Sequence, residues 1–508
     1  MRKWLRRKSR PVGRFDRAVS GAVAELPVSM IDRGMLRLTR SADNGVLWMA
    51  IAAVLVTRKG ATRRAGLRGM VALGGATVAA NTFKTVVGRR RPAAELLPPD
   101  RRLIRRPASS SFPSGHSASA VAFATAVAME SPRSARVVAP LAATVAYSRV
   151  HTGVHWTSDV LVGAAIGGGV ALATRRWWPV RHSDEAQARP VREVPVLADG
   201  KGLVVVVNPM SGTPGYDPTD DIARALPAAT VLRTVPGLDC LQQLEQVLAA
   251  RTEQPAAVGV AGGDGTVASI ATVALRHGLP LVVIPTGTLN HFARDVGVYD
   301  LREVVDATGA GEAVSVDIAS VEFGTDGESR TQHWINTASI GAYSDLVRLR
   351  EKWQERWGKW PAFAAALVVT LRRAEPIRIK LDGRWQEVWF LFAGNGSYDP
   401  PGAVPAFRSR LDSGLLDIRW LRADLKFSRT RAALALLLAA IGHSKVYGER
   451  MVPALTVELP DSQALATDGE VIGEATRLHF SVPGQIAVYR RDEENPQWAD
   501  RERPHHRQ

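Results

Sequence analysis

The sequence predicts a multi-domain chain of two unlike halves: an α-helical membrane bundle, then a two-lobed region in which a parallel α/β lobe leads into a β-rich lobe. Three observations predict this. Residues 1–181 hold 30 Lys and Arg against 8 Asp and Glu, while the rest of the 508 residues hold 35 against 41. Five apolar stretches rich in Ala, Gly and Val crowd into the first third. From Leu203 onward, short β-branched runs alternate with helical segments instead. A chain of this length accommodates two or three domains.

The five stretches are 46–57, 67–87, 118–129, 137–150 and 160–174. Small residues suit close helix packing in a bilayer. Arg58-Lys59, Arg63-Arg64, Arg133, Arg136 and Arg175-Arg176 punctuate the stretches as headgroup anchors do. Several stretches fall short of the roughly 20 residues of a full span, so a soluble bundle with an Ala-rich core is the competing reading. Residues 1–45 carry 11 Lys and Arg and are expected to be a basic N-terminal segment. It lacks a compact apolar run with a cleavage site, so no removable signal peptide is expected. A sixth apolar element at 18–31 contains Glu25 and Pro27, which make it a poor span; an interfacial helix is the alternative. The basic charge beside apolar segments fits an anionic lipid surface. No nucleic-acid motif accompanies it, so no nucleic-acid partner is expected. The single Cys240 excludes an intramolecular disulfide and a Cys-based zinc site; a core thiol is expected.

The remaining boundaries follow composition. The bundle is expected over 46–178 and a Pro/Gly-containing linker over 179–200. Strands at 203–207, 228–232, 256–260 and 281–284 alternate with helices near 239–251 and 265–277, which implies a parallel sheet over 201–312. Strands dominate 313–491, with Asp382-Gly383 between 378–381 and 387–392 as a hairpin signal. Residues 343–373 read as helical, with Trp353, Trp357 and Trp360 on one face for bilayer docking or inter-lobe packing. The ten-residue apolar run within 427–443 is too short to span. The charged tail 492–508 is expected to be disordered.

Three strings within 76 residues carry the chemistry of the first half: Lys84-x6-Arg91-Pro92, Pro113-Ser114-Gly115-His116, and Ser148-Arg149-x5-His155-x3-Asp159. Phosphoryl displacement needs a nucleophile, cations for the nonbridging oxygens and an acid for the leaving group. His155 supplies the nucleophile, with Asp159 expected to orient its imidazole, and His116 the acid. Lys84, Arg91 and Arg149 supply charge, and amides near Ser114 and Gly115 at a helix start add donors. No metal is needed by this set. With the stretches as antiparallel spans, all three strings fall at one end of the bundle. His151 reads as a loop residue. Arg101-Arg102 and Arg105-Arg106 read as a solvated run or a headgroup contact.

In the second half, Gly262-Gly263-Asp264-Gly265-Thr266 follows a strand and opens a helix, the arrangement in which glycine backbone approaches phosphate closely. Asp264 is placed to act on a nucleotide through Mg²⁺. Asn208-Pro209-Met210-Ser211-Gly212 and Pro285-Thr286-Gly287-Thr288-Leu289-Asn290 also lie at strand C-terminal ends, where open parallel sheets bind ligands.

The stretch from Lys84 to Asp159 resembles the type-2 phosphatidic-acid phosphatase family, which includes soluble acid phosphatases. The resemblance covers about 40–178, implies an acid-phosphatase-like bundle, and assigns nucleophile and acid to His155 and His116. The trio of loops is similar to the diacylglycerol, sphingosine and ceramide kinase family over about 201–490. That implies ATP and Mg²⁺, a phosphofructokinase-like nucleotide lobe, and a base in Asp468-Gly469-Glu470 that is either Asp468 or Glu470. Further shared features are 336–341, Gly394-Asn395-Gly396 and 412–417, with Asp412 a candidate Mg²⁺ ligand. His291 and Ser413 depart from the pattern, where Asp and an acidic residue are common.

The expectation is a multi-pass cell-membrane enzyme with a cytoplasmic kinase half. Its partners would be membrane lipids: phosphatidate, diacylglycerol or an isoprenoid phosphate. Two rivals are a lipid kinase whose first domain is only an anchor, and a nucleotide-binding lipid sensor without catalysis.

Overall fold

The computed structural model describes residues 10–492 apart from 59, 94, 96, 104–107, 181–184, 213–215, 235–239, 288–289, 326–327, 358, 402–404, 406 and 438–439. The described residues form two compact units, one ending at residue 180 and the other beginning at residue 185.

The first unit contains helices α1 (Arg10–Ala24), α2 (Met30–Ser41), α3 (Val46–Val56), α4 (Ala61–Val86), α5 (Gly115–Glu130), α6 (Pro132–His151) and α7 (Thr157–Ala173). The last five follow the five apolar stretches. Their ends are written locally. Ser114 caps α5 by accepting from the Ser117 amide, Ser131 caps α6 with Pro132 at its first position, and Asp159 reaches back to the Trp156 amide at α7. The expected sixth element at 18–31 is instead divided, with residues 25–29 separating α1 from α2.

Small residues set the spacing of this bundle. A Cβ on Gly163 would lie 2.4 Å from the Ser114 carbonyl oxygen, and one on Gly167 would lie 2.1 Å from that of Ala118. Helices α5 and α7 therefore touch backbone to backbone, around a core that includes Ala72, Ala76, Ala118, Ala122 and Ala171. A second cluster holds Trp48, Phe123 and Val127. The outer faces expose Val54, Val71, Val78, Val137, Leu161 and Leu172. Among the described residues, one helix is long and apolar enough to cross a membrane: Thr157–Arg176, with mean hydropathy 1.4. Helix α4 is longer at 26 residues, but Arg63, Arg64, Arg68 and Lys84 interrupt it. Arg68 is fully buried, paired with Glu130 at 2.6 Å at the end of the bundle away from Lys84.

The second unit opens with β1 (Pro190–Val191) and continues with β2 (Leu203–Val207), α8 (Thr219–Ala225), β3 (Thr230–Arg233), α9 (Cys240–Ala249), β4 (Ala257–Gly262), α10 (Asp264–His277), β5 (Leu281–Pro285), α11 (His291–Val296) and α12 (Leu301–Ala310). Strands run parallel in the order β5-β4-β2-β3, as the alternation predicts. Fully buried valines in β2 and β4 form its core. Cys240 is half-buried and packs against that core. The expected linker differs from the structure. From Ala186 it is fastened down, its amide donating to the Asp295 carbonyl, β1 pairing with β6 (Ala313–Gly324), and the Leu197 amide donating to Thr308.

The β-rich region comprises β6, β7 (Arg330–Trp334), β8 (Thr337–Gly341), β9 (Ile377–Leu381), β10 (Arg384–Asn395), β11 (Ser397–Asp399), β12 (Phe407–Arg410), β13 (Leu416–Arg422), β14 (Tyr447–Val452), β15 (Ala454–Thr467) and β16 (Glu470–Tyr489). It is continuous with the parallel sheet, because β16 pairs in parallel with β5 and antiparallel with β6 and β15. Asp382 (φ 49°) and Gly383 (φ 75°) make the predicted hairpin turn. Region 343–373 is two helices, α13 (Tyr343–Trp357) and α14 (Lys359–Arg373). Trp353 packs against a core with Leu346 and Leu371. Trp360 lies on the next helix, and the side chains of Trp357 and Trp360, on which the expected tryptophan face depends, lie outside the described residues. Within 427–443, α15 (Ser428–Leu437) packs on the same core.

Candidate active sites

The three strings of the first half converge. Lys84 closes α4, Ser114 to His116 open α5, Arg149 ends α6, and His155 precedes α7. Nζ of Lys84 lies 3.3 Å from where a Cβ on Gly115 would be. Arg91 donates from Nη1 to the Val154 carbonyl (2.7 Å), and the same nitrogen lies 3.3 Å from His155 Nε2. Arg149 is 1% exposed and donates to Thr39 Oγ1 (2.6 Å), yet its buried Nε has no partner among the described residues. An orphaned buried guanidinium nitrogen fits an anion not present here.

His155 Nδ1 lies 2.7 Å from the Ser111 carbonyl oxygen. A carbonyl only accepts, so Nδ1 carries the proton and Nε2 keeps its lone pair beside Arg91. Burial, reinforced by Arg149 and Arg91 against the pull of Asp159, holds this imidazole low, at about 4. The resting imidazole is therefore neutral. Asp159 was expected to orient His155 directly. Instead its Oδ1 accepts from Arg89 Nη1 (2.5 Å), its Oδ2 accepts from the Trp156 amide, and Nδ1 of His155 stands 3.7 Å away. The Ser111 carbonyl is the closer partner of the ring, and Asp159 lies just beyond hydrogen-bond distance.

Several residues that spacing did not reveal complete this site. Asp16 in α1 is 1% exposed; it accepts from Arg89 Nη2 and from the Ser158 amide and hydroxyl. Thr39 in α2 contacts Arg149 and Ser148. Asp43 lies 2.7 Å from His116 Nε2. His151 is not a loop residue; it ends α6, buried, 2.6 Å from Asp32. Arg101, read as solvated, is 1% exposed and donates to Asp32 and to the carbonyls of Val23, Leu26 and Pro27. Arg102 donates to the Leu97 carbonyl; Arg105 and Arg106 lie outside the described residues. The only clue available was that three of the four acids in residues 1–45, Asp16, Asp32 and Asp43, stand in an otherwise basic segment.

In the second unit the three loops interlock at the ends of β2, β4 and β5. Asn208 donates its amide to Ala261 and Nδ2 to Thr266 Oγ1 (3.1 Å), while its Oδ1 accepts from Met210 beyond Pro209. Ser211 Oγ donates back to Asn208. At Gly212 (φ 107°) a Cβ would lie 2.0 Å from the Thr286 carbonyl, and at Gly287 one would lie 2.7 Å from Gly263 Cα. Asn290 Nδ2 donates to the Gly287 carbonyl (2.6 Å), and Thr286 Oγ1 is buried without a partner among the described residues. Backbone this close, at the start of α10, fits a phosphate chain. Gly265 and Thr266 form the first turn of α10; Thr288 lies outside the described residues.

The acids differ from expectation. Asp264 accepts from the amides of His291 (3.1 Å) and Phe292 (3.0 Å), so it ties α10 to α11. Asp412 accepts from Arg410 Nε at Oδ1 and from Arg189 Nε at Oδ2, which makes an ion-pair cluster. Ser413 hydrogen-bonds Leu415. Among the described residues no three His, Cys, Asp or Glu side chains form a metal cage. Nucleotide Mg²⁺ is held mainly by phosphates and water, so the fit to Mg²⁺ is to one carried on the nucleotide. Asp468 (φ 49°) accepts from the amides of Ile335, Asn336 and Thr337 at 2.8–3.0 Å. Burial pushes its carboxyl up to about 6 in spite of those amides. Glu470 is exposed, with Oε1 3.7 Å from the position of a Cβ on Gly265.

These two sites define a class: two phosphate-transfer domains in one chain. Residues 65–183 match the PAP2 superfamily, and residues 202–321 match the diacylglycerol kinase catalytic domain. The chain thus joins a PAP2 phosphatase domain to a lipid kinase catalytic domain, in that order. A diacylglycerol kinase of Mycobacterium tuberculosis is 27% identical over 243 residues, 46% of this chain and 76% of that protein. An undecaprenyl-diphosphatase of Sulfolobus acidocaldarius is 30% identical over 127 residues, 25% of this chain and 61% of that protein. A transmembrane PAP2 type phosphatidylglycerolphosphate phosphatase of Bacillus subtilis aligns with TM-score 0.27 and 24% identity, over 33% of this chain and 85% of that one.

Proposed function

We propose that the chain is a bifunctional membrane enzyme of lipid phosphate. One half hydrolyses a lipid phosphomonoester or diphosphate through a phosphohistidine, and the other transfers the γ-phosphate of ATP to a lipid hydroxyl, with diacylglycerol the favoured acceptor. The observation that carries the first reaction is the gathering of Lys84, Arg91, Arg149 and His116 around a neutral His155 whose Nδ1 is already committed to a carbonyl. Nε2 attacks phosphorus, the cations and the α5 amides take the nonbridging oxygens, and His116 protonates the departing oxygen. Water then cleaves the N–P bond. Phosphatidate and isoprenoid phosphates both present the required group, and the name of the Sulfolobus relative favours the isoprenoid.

For the second reaction, the interlocked loops hold the phosphates in line, and catalysis is positioning plus electrostatics. Mg²⁺ carried by the nucleotide neutralises charge on the phosphates. Glu470 is the better base: it is exposed at the glycine loop, whereas Asp468 is enclosed by three amides that it holds in place.

Lipid substrates on both sides argue for a bundle that lies across the membrane. Its apolar outer faces and the span Thr157–Arg176 support this. The multi-pass reading keeps the kinase half in the cytoplasm with its ATP.

The test is the purified chain with γ-labelled ATP and a panel of lipids, with label gain and phosphate release both followed. Wild type labels diacylglycerol and releases phosphate from phosphatidate or an isoprenoid phosphate; His155→Ala keeps the first and loses the second. Labelling without release would leave the bundle an anchor. ATP binding without either would leave a sensor.

A further inference from the structure

We propose that Asp43 is a positioning residue of the phosphatase half: its carboxylate accepts the Nε2 proton of the His116 imidazolium and so makes the Nδ1 proton the one handed to the departing oxygen. This rests on the phosphohistidine reading above and adds to it a residue from before the stretch that matches the PAP2 superfamily.

The geometry is specific. Oδ1 of Asp43 lies 2.7 Å from Nε2 of His116, 73 residues further along the chain. Asp43 opens a single turn of 3-10 helix, Asp43–Gly45, between α2 and α3. Asn44 (φ 54°) and Gly45 (φ 76°) hold that turn in left-handed backbone, and the Gly45 amide closes it onto the Ala42 carbonyl. The chain adopts an unfavourable local conformation here, and the turn delivers a carboxylate to the acid of the site.

The surroundings explain why one is needed. His116 faces Arg149 from α6 and His155 from the loop before α7, and Lys84 from α4 sits over the neighbouring Gly115. Burial, then Arg149 and His155, hold this imidazole low, at about 4, and Asp43 pulls the other way. Asp159 is engaged elsewhere, with Arg89 at 2.5 Å and beside His155 at 3.7 Å. Among the described residues Asp43 is the carboxylate within hydrogen-bond reach of a catalytic histidine. Asp43 is the group that pulls the hold of His116 on its Nδ1 proton back up, and without it that proton would be held more weakly still.

The step balances. As the His155 Nε2–phosphorus bond forms and the P–O bond breaks, the electron pair goes to the leaving oxygen and the His116 Nδ1 proton follows it. His116 is left neutral, still donating Nε2–H to Asp43. In the second half, His116 Nδ1 takes a proton from the attacking water, and P–N cleavage restores His155.

The test compares leaving groups on the full-length protein. Phosphatidate must expel an alkoxide and needs the proton; p-nitrophenyl phosphate expels a stabilised phenolate and needs it far less. Asp43→Asn should lower phosphatidate turnover by about 10- to 100-fold and move the basic limb of its pH profile to lower pH. The loss on p-nitrophenyl phosphate should be about tenfold smaller. Asp43→Glu should restore part of the phosphatidate rate, and His116→Ala should show the same selectivity more strongly. Equal losses on both substrates, or no loss, overturn the proposal. A gain in rate also overturns it, by showing that the carboxylate merely competes with phosphate. If wild type hydrolyses neither substrate, the hydrolase reading itself fails.

Discussion

At the end of the helical bundle the candidate phosphate ligands are side chains: Lys84, Arg91 and Arg149, with two histidines to form and break bonds. At the ends of β2, β4 and β5 they are backbone, and what matters most is which side chains are missing. The first arrangement concentrates charge that must be oriented from outside, so Asp16, Thr39, Asp43 and the Ser111 carbonyl brace it from distant parts of the chain. The second is braced within and between the loops: Asn208 holds Met210 and Ser211 and reaches Thr266, Asn290 holds Gly287, and Asp264 takes the amides of His291 and Phe292. A covalent intermediate calls for a tuned nucleophile; direct transfer calls for alignment.

That contrast can be broken in three ways. The largest effect is expected at Glu470, the side chain proposed above to remove the proton. Glu470→Gln should lower lipid phosphorylation by about 100-fold or more while hydrolysis continues, as measured by labelled-phosphate transfer and release in parallel. Equal loss in Asp468→Asn with unchanged thermal stability would move the base to Asp468. A smaller effect is expected at the loops. Gly212→Ala places a Cβ 2.0 Å from the Thr286 carbonyl, and its KM for ATP should rise about tenfold, roughly 1.4 kcal/mol, with KM for the hydrolysed lipid unmoved. The smallest concerns pH. Because the His155 imidazole is held at about 4, the nucleophile stays neutral as pH falls and is lost only as pH approaches that value. Hydrolysis kcat/KM, corrected for ionisation of the substrate phosphate, should therefore persist at pH 5; a limb near the ordinary histidine value would contradict the burial of that ring.

What was legible in the chain follows the same division. The three phosphatase strings and the three loops could be read because each packs its chemistry into a few consecutive residues. The helix ends near Lys84, Ser114, Arg149 and Asp159 followed from antiparallel packing of the apolar stretches. Asp43, Asp16 and Arg101 were invisible because their partners lie 73, 142 and 69 residues away, and an isolated acid or arginine has no period. The ion pair at Asp412 was hidden for the same reason: its partner Arg189 is 223 residues upstream. Span counting was limited by α4, where buried Arg68 pairs with Glu130 inside what composition reads as a lipid-facing segment.

Strand β16 has a mechanical consequence. It begins at Glu470, beside the glycine loop, and ends at Tyr489, next to β5, so the proposed base and the proposed nucleotide cradle hang from one 20-residue ribbon. Its ladder with β6 slips once, between Ser481 and Gly484, across Pro483. If the two lobes close on a substrate, the rotation has that joint to use, and stiffening it would slow turnover without touching a reacting atom.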